Sequence, residues 1–281
     1  MIVVTGATGN VGRALVDRLV AAGRPVRALT RDPQRAGLPA GAEAVRFRRE
    51  DPAALFTGAT QLFLYAQAAG DRPGELLRAA REAGVRHVVL LSSAIIAEGA
   101  DETHPIHVMH ATVERAIRDS GLEWTFLRPG GFATNALQWA PQIRTGDTVR
   151  GVFAGARSAP IHEDDMAAVA ERALLDPGHA GAVHRLTGPE ATTNAEQVAA
   201  IGRALGRELT FVEVAPEEAG PDLFPHVPPG MLESLLKSFR AAVGATPEIN
   251  DTVEKITGTP ARTFTHWAED HRPDFQPPAT A

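Results

Sequence analysis

Two apolar periods alternate along the first half of the chain. Short β-type runs, Ile2-Val3-Val4, Val26-Arg27-Ala28-Leu29, Ala44-Val45-Arg46-Phe47, Leu62-Phe63-Leu64-Tyr65, His87-Val88-Val89-Leu90-Leu91 and Trp124-Thr125-Phe126-Leu127, are separated by stretches of helical spacing. Val11, Leu15, Leu19 and Val20 put one apolar stripe on a helix over 10–22, which Gly23 stops. Pro73 opens a helix that ends before Gly84, and Pro105 suits the first turn of a longer one that stops at Ser120-Gly121. Strands alternating with helices predict right-handed crossovers and a parallel sheet covered on both faces, an α/β doubly wound fold. Ligands of such sheets sit beyond the C-terminal ends of the strands.

After Arg128-Pro129-Gly130-Gly131 the pattern is less regular. A helix is predicted over 162–175, a further strand over 184–187, and a helix over 194–205 stopped by Gly206. Residues 215–230, rich in proline and acid, have the composition of a lid or surface loop, and 231–243 is helical again. The tail 272–281 is proline-rich and predicted to fray.

Composition narrows the function. The chain has 281 residues, 44% of them hydrophobic, enough for one or two domains. A net charge of -6 argues against direct nucleic-acid binding, which favours a basic surface. The absence of cysteine excludes disulfides, thiol catalysis and cysteine-ligated metal. Met1 leads straight into the first strand, and there is no apolar run of about 18 residues, so a soluble cytoplasmic protein with no membrane span is expected.

The candidate chemistry begins at the first turn. Gly6, Gly9 and Gly12 can serve a tight turn, a close approach to a pyrophosphate, and packing of helix on strand. The turn follows a strand and opens a helix whose N-terminal amides favour an anion, so Gly6, Thr8, Gly9, Asn10, Val11 and Gly12 are expected to hold a dinucleotide. At the second strand tip, Arg31 suits the extra phosphate of NADP, whereas an acid such as Asp32 would suit the ribose of NAD or cap the turn before Pro33. NADP(H) is therefore expected ahead of NAD(H).

Thr5-Gly6-Ala7-Thr8-Gly9-Asn10-Val11-Gly12, Val88-Val89-Leu90-Leu91-Ser92-Ser93, His110-x-x-x-Glu114, Ser120-Gly121-Leu122-x-Trp124-Thr125-x-Leu127-Arg128-Pro129 and Leu186-Thr187-Gly188-Pro189 together resemble the NmrA-like atypical short-chain dehydrogenases. The resemblance covers most of the chain and loosens after residue 190. It implies a Rossmann-type NAD(P)-binding domain over 1–130 and 160–188, and a smaller substrate-binding region over 131–159 and 189–281 that closes over the nicotinamide. Members of the family include quinone and dye reductases, reductases of secondary metabolism, and dinucleotide sensors without evident catalysis. The Tyr-x-x-x-Lys dyad of standard short-chain dehydrogenases is absent, because the one tyrosine, Tyr65, precedes Ala69 by four residues and both lysines, Lys237 and Lys255, lie far downstream. With Glu114 matched to the acid that often follows that motif, His110 stands for the lysine and Ile106 for the tyrosine. Arg48 occupies the place after the third strand where related sequences often put an aspartate to hold the adenine.

His104, His107 and His110 recur every third residue, with Glu114 next on that side. Histidine titrates near neutrality and can relay a proton or hold a nicotinamide ribose, which makes His110 the candidate; a metal site is the rival reading and a helix cap the bland one for His104. Ser92 and Ser93, at the end of the fifth strand, are candidates to position a substrate oxygen or simply to cap. Tyr65, Ala66 and Gln67 stand where a cofactor passes. Phe132 either covers the nicotinamide or packs in a core, and Asn135 is a candidate substrate contact. No metal is expected. The reading is an NAD(P)H-dependent reductase of a small carbonyl, quinone or conjugated enone; a non-catalytic NADP sensor that binds a partner, or a cofactor-retaining isomerase or cyclase, are the alternatives.

Overall fold

Runs of valine, leucine and phenylalanine without polar alternation are what strands buried on both faces require. The computed structural model describes residues 1–97, 101–224, 227 and 229–277. Positions 225, 226 and 228 of the expected lid, and 278–281 of the expected frayed tail, lie outside the described residues. The strands are β1 Ile2–Val4, β2 Val26–Thr30, β3 Ala42–Arg46, β4 Gln61–Tyr65, β5 His87–Leu91, β6 Glu123–Pro129, β7 Thr148–Gly151, β8 Arg157–Ser158, β9 Ala182–Leu186, β10 Thr192–Thr193 and β11 Thr210–Glu213.

The chain divides into two units. The first comprises Met1–Pro129, Glu163–Leu186 and Thr252–Thr259. Its seven-stranded sheet has the order β3-β2-β1-β4-β5-β6-β9, every pair parallel. Two expected strands are shifted. β3 starts at Ala42, opposite Val26, and β9 starts at Ala182, opposite Thr125, so the ladders rather than the apolar runs decide the ends. One face of the sheet packs Val3, Leu62, Leu64, Val88, Leu90 and Phe126 under helices Pro52–Phe56, Pro73–Glu82 and Pro105–Asp119. Helices Asn10–Ala21 and Glu163–Leu175 pack on each other and cover the other face.

A carboxylate is buried where this sheet ends. Glu114 is 1% exposed and receives the Arg128 Nε and Nη2 donors at 2.9 and 2.6 Å, the Ser92 hydroxyl at 2.7 Å and Arg118 Nη2 at 3.2 Å. Arg128 also donates to the Ile96 carbonyl at 2.9 Å, and the Arg118 guanidinium lies over the rings of Trp124 and Phe126. The tips of β5 and β6 and the helix Pro105–Asp119 are thus tied through one side chain.

The second unit comprises Gly130–His162, Thr187–Asp251 and the chain from Pro260 onward. It holds the parallel pair β7 and β11 and the antiparallel pair β8 and β10, none of them apparent from the apolar pattern. Its main core gathers Trp139, Ile143, Val198, Ile201, Phe264, Trp267 and Phe275. The stretch expected as a lid is more than surface loop: Phe224 is buried against Val152, Phe153 and Ala156, because Leu223, Phe224 and Val227 interrupt its prolines with apolar surface. Phe153, with φ of 52°, is the one non-glycine of positive φ among the described residues. The Asn194 side-chain amide holds that turn by donating to the Phe153 carbonyl at 3.1 Å and to the Val152 carbonyl at 3.4 Å.

The buried ion pair gives a stability prediction. Arg128→Met leaves the Glu114 carboxylate without its two-pronged partner and is expected to cost about 3–5 kcal/mol in urea unfolding. The double variant Glu114→Leu/Arg128→Met is expected to recover most of that loss, since it removes the stranded charge. A double variant no more stable than Arg128→Met contradicts this account.

Candidate functional site

The glycine turn is built so that backbone, not side chains, faces outward. Gly6 takes φ of 63°, and the Gly9 N–H donates to the Gly6 carbonyl at 2.9 Å. A Cβ on Gly12 would stand 2.1 Å from the Gly6 carbonyl oxygen, so helix and turn approach more closely than any side chain permits. The helix Asn10–Ala21 starts with no side-chain cap. Its first amides are left for an external acceptor, and Thr8, Gly9 and Asn10 are exposed beside them, while Val11 and Gly12 are buried beneath. Such a cradle fits a pyrophosphate.

Neighbouring strand tips hold this turn in place. The Thr5 hydroxyl donates to the Phe63 carbonyl at 3.2 Å and accepts from the Tyr65 N–H at 2.7 Å. The Tyr65 ring lies over Gly6, 3.4 Å from where a Cβ there would be, and is 38% exposed; burial of the remainder raises its pKa, so the phenol stays protonated at neutral pH. Ala66 is buried and Gln67 exposed; they open a one-turn helix, Ala66–Ala69. At the tip of β2, Asp32 Oδ1 accepts from the Gln34 N–H at 3.2 Å, so this acid caps the turn Pro33–Arg35. Arg31 is exposed beside it, available to a phosphate.

The tip of β5 distinguishes its two serines. Ser92 donates its proton to Glu114. Ser93 Oγ accepts from the Ile95 N–H at 3.3 Å, which leaves its own proton for another acceptor. His110 stands one helical turn before Glu114. It is 7% exposed, its side chain makes no hydrogen bond among the described residues, and its Nδ1 is buried without a partner there. Burial holds its imidazole down at about 4, against the opposing pull of Glu114. The expectation of a group titrating near neutrality is therefore corrected: at pH 7 His110 is a neutral imidazole that can give a hydrogen bond but carries no charge. His104 caps its helix, its Nδ1 accepting from the Ile106 N–H at 3.2 Å. His107 is half-buried, and no group of three or more metal-ligating side chains is assembled among the described residues.

The first unit thus brings together the glycine turn, Arg31, Tyr65, Ala66, Gln67, Ser92, Ser93 and His110 at the C-terminal ends of its strands. Phe132 and Asn135 belong to the second unit: Phe132 is half-buried and bridges Ile161, and Asn135 is exposed in the turn Ala133–Trp139. Sequence reading missed three contributors, Thr5, Arg128 and the buried role of Glu114. The available signal was a carboxylate on the same helix face as His110, Val113 and Ile117, an apolar stripe that an acid enters only with a partner.

Among known families, the model of the NmrA-like family matches residues 1–268. The chain is 41% identical to (4-alkanoyl-5-oxo-2,5-dihydrofuran-3-yl)methyl phosphate reductase of Streptomyces griseus subsp. griseus, over 99% of this chain and 100% of that protein. It is 34% identical to the NAD(P)H azoreductase of Xenophilus azovorans, over 98% and 99% of the two chains. In fold it is similar to the NADPH complex of an NADPH-dependent quinone oxidoreductase from Escherichia coli, with a TM-score of 0.77, 24% identity, and 96% and 99% of the chains covered.

Two expectations follow. Gly9→Val places a branched side chain where the pyrophosphate approaches, and titration calorimetry should show NADPH and NADH binding weakened at least about tenfold; unchanged dissociation constants would place the cofactor elsewhere. The second concerns acid. The folded pKa of His110, about 4, lies below the unfolded value of 6.5. As pH falls from 6.5 to 4 the unfolded chain takes up a proton that the native one refuses, so stability declines across that window and levels off below it. His110→Asn should remove roughly 2–3 kcal/mol of that decline in urea titrations at pH 7 and pH 4.5. An equal decline in both proteins refutes the assignment.

Proposed function

Since the chain belongs to the NmrA-like family, we propose that it is an NADPH-dependent reductase that delivers hydride to a small conjugated enone. The observation that carries this reading is the uncapped helix start in a turn where Gly12 admits no Cβ, a cradle shaped for a pyrophosphate. The residues present fit the cofactor: the turn 6–12 for the pyrophosphate, Arg31 for the 2′-phosphate, and His110 with Tyr65, Ala66 and Gln67 along the nicotinamide half. When bound, NADPH supplies the hydride.

The choice of acceptor is supported by the names of proteins similar to this chain. Full-length identity of 41% links the chain to a reductase whose named substrate has a ring C=C conjugated to a lactone carbonyl and an alkanoyl group. Azo compounds and quinones, the acceptors in the other two names, share with it an electron-poor conjugated system. With a hydride taken up at the β-carbon, the electron pair would move to the carbonyl oxygen, and a proton from water would complete the saturated ketone. Among the chain's own groups, Ser93 has the hydroxyl proton free to steady that oxygen, while Ser92 is engaged by Glu114 and serves to position the strand tip. His110, neutral and with its Nδ1 unpartnered among the described residues, donates a hydrogen bond to the nicotinamide ribose or to a water. Cytoplasmic residence is part of the same proposal, since that is where NADPH is kept reduced, and neither nucleic acid nor membrane is a partner. No helix among the described residues is long and apolar enough to cross a membrane.

Loss of NADPH absorbance is expected with a 2-acylbutenolide, more slowly with a quinone, and least with a saturated ketone. Tight NADPH binding with no turnover of any acceptor would favour the sensor reading. His110→Ala should weaken NADPH binding by about tenfold and leave the saturated rate within about threefold. A fall in that rate by about two or more powers of ten, with binding intact, would make His110 a proton relay instead.

A further inference from the structure

The glycine turn and its neighbours stand at the C-terminal ends of the strands. Three histidines of the first unit gather away from that edge, on β5, on β9 and in the chain that leads into β9. His87 is the first residue of β5, Thr125 lies on β6, His184 on β9, and His179 in the connection between the helix Glu163–Leu175 and β9. The Thr125 hydroxyl donates to the His179 carbonyl at 2.7 Å, so it accepts from His87 Nε2, 2.9 Å away. His87 is buried and committed to that bond, and Glu123 is the carboxylate that acts on it. His179 Nδ1 and His184 Nε2 stand 3.1 Å apart, with their rings inclined by 76°. Both residues are half-buried and so open to a solute. Asp176, in the same connection, is paired with Arg172 Nε at 2.6 Å.

Two neutral imidazoles can share only one proton between facing nitrogens, one ring giving and the other accepting. Burial, with the nearby His179, holds His184 below its usual pKa, so the ring is uncharged at neutral pH, as a metal ligand must be. Two imidazoles on a tetrahedral zinc, each at 2.0–2.1 Å, place their nitrogens about 3.3–3.4 Å apart, close to the spacing found here. Both backbones are fixed. His184 sits in register opposite Leu127 of β6, and the His179 carbonyl is held by Thr125, itself held by His87. Bonds of that kind, one step behind the ligands, keep a metal site in shape. Little ordering is left to be done when an ion arrives.

We propose that His179 and His184 chelate a divalent transition cation of the zinc, nickel and copper class, with water completing its coordination. The proton that the pair shares moves through water to the other nitrogen of its own ring, so both imidazoles stay neutral and each turns a lone pair to the ion. Imidazole suits these cations, and the pair offers no oxygen to magnesium or calcium. Thr125 and His87 are positioning residues for His179. An ion held there ties the connection to the edge strand β9 and stabilises the native chain.

Titration calorimetry of the full chain with zinc, nickel and magnesium chlorides, in a buffer that does not chelate, tests this. Zinc and nickel should bind and magnesium should not. His179→Ala and His184→Ala should each weaken zinc binding at least about tenfold and abolish the rise that zinc causes in the thermal unfolding midpoint. His266→Ala, in a separate histidine group of the second unit, should leave both unchanged. The wild-type chain gives a readout that needs no variant to fold: electron paramagnetic resonance of its equimolar cupric complex should show coupling to two imidazole nitrogens. The proposal is overturned by a wild type that binds no zinc, by zinc binding unchanged in either His179→Ala or His184→Ala, by a loss in His266→Ala, or by a cupric spectrum with fewer than two nitrogens.

Discussion

The β5 and β6 side of the sheet's C-terminal edge is organised around one buried charge. An ionised carboxylate in a protein interior is tolerable only when its oxygens are fully engaged, and Glu114 meets that condition with three side chains drawn from separate places in the chain. Arg128 comes from the tip of β6, Ser92 from the tip of β5, and Arg118 from the same helix one turn on. Because the requirement is strict, it positions all three. The serine hydroxyl is committed, the helix register is set, and His110 is held one turn before the acid with its Nδ1 unpartnered among the described residues. The interaction that secures the fold here also decides which groups remain free for chemistry.

That division changes the character of the candidate site. A chain lacking the tyrosine and lysine dyad invites a search for a substitute acid, and a histidine at the lysine position is the obvious nominee. Burial keeps the ring neutral at pH 7, so it carries no positive charge to that role. On the proposed reading, the site orients by hydrogen bonds and leaves protons to water. Such an arrangement suits an acceptor whose electron pair is spread over a conjugated system, since the oxygen it generates needs little acid assistance.

Much of the first unit was legible from sequence because its signals are local. Apolar runs on strands buried from both sides, glycine stops and prolines at helix starts need no knowledge of the far end of the chain. The glycine turn was legible for the same reason, as all its requirements fall within residues 5–12. The rest was hidden for identifiable causes. β8 and β10 have two residues each, too few to show a period, and β7 and β11 are short strands whose partners lie far apart in sequence. Asp32 and Arg31 compete for one role on paper, and only the hydrogen bond from Gln34 shows that the acid is already used as a cap. The Glu114–Arg128 pair spans fourteen residues and joins a helix to a strand, so no window of sequence displays it.

The turn at Phe153 has a bearing on how this chain can change over time. A bulky residue at a positive φ does not adopt that shape by preference, at a cost of about 1–3 kcal/mol. The shape is imposed from outside, by an asparagine amide forty-one residues later that grips two successive carbonyls. The instruction for the loop is therefore written at position 194 rather than in the loop. Substitutions at 153 can be absorbed while the grip persists, and glycine would even relieve the strain. A drift at 194 would free the loop to take several shapes, and with it the apolar cluster of Val152, Phe153 and Phe224. Diversification of the second unit should therefore meet its strongest constraint at a polar residue that no ligand need ever touch.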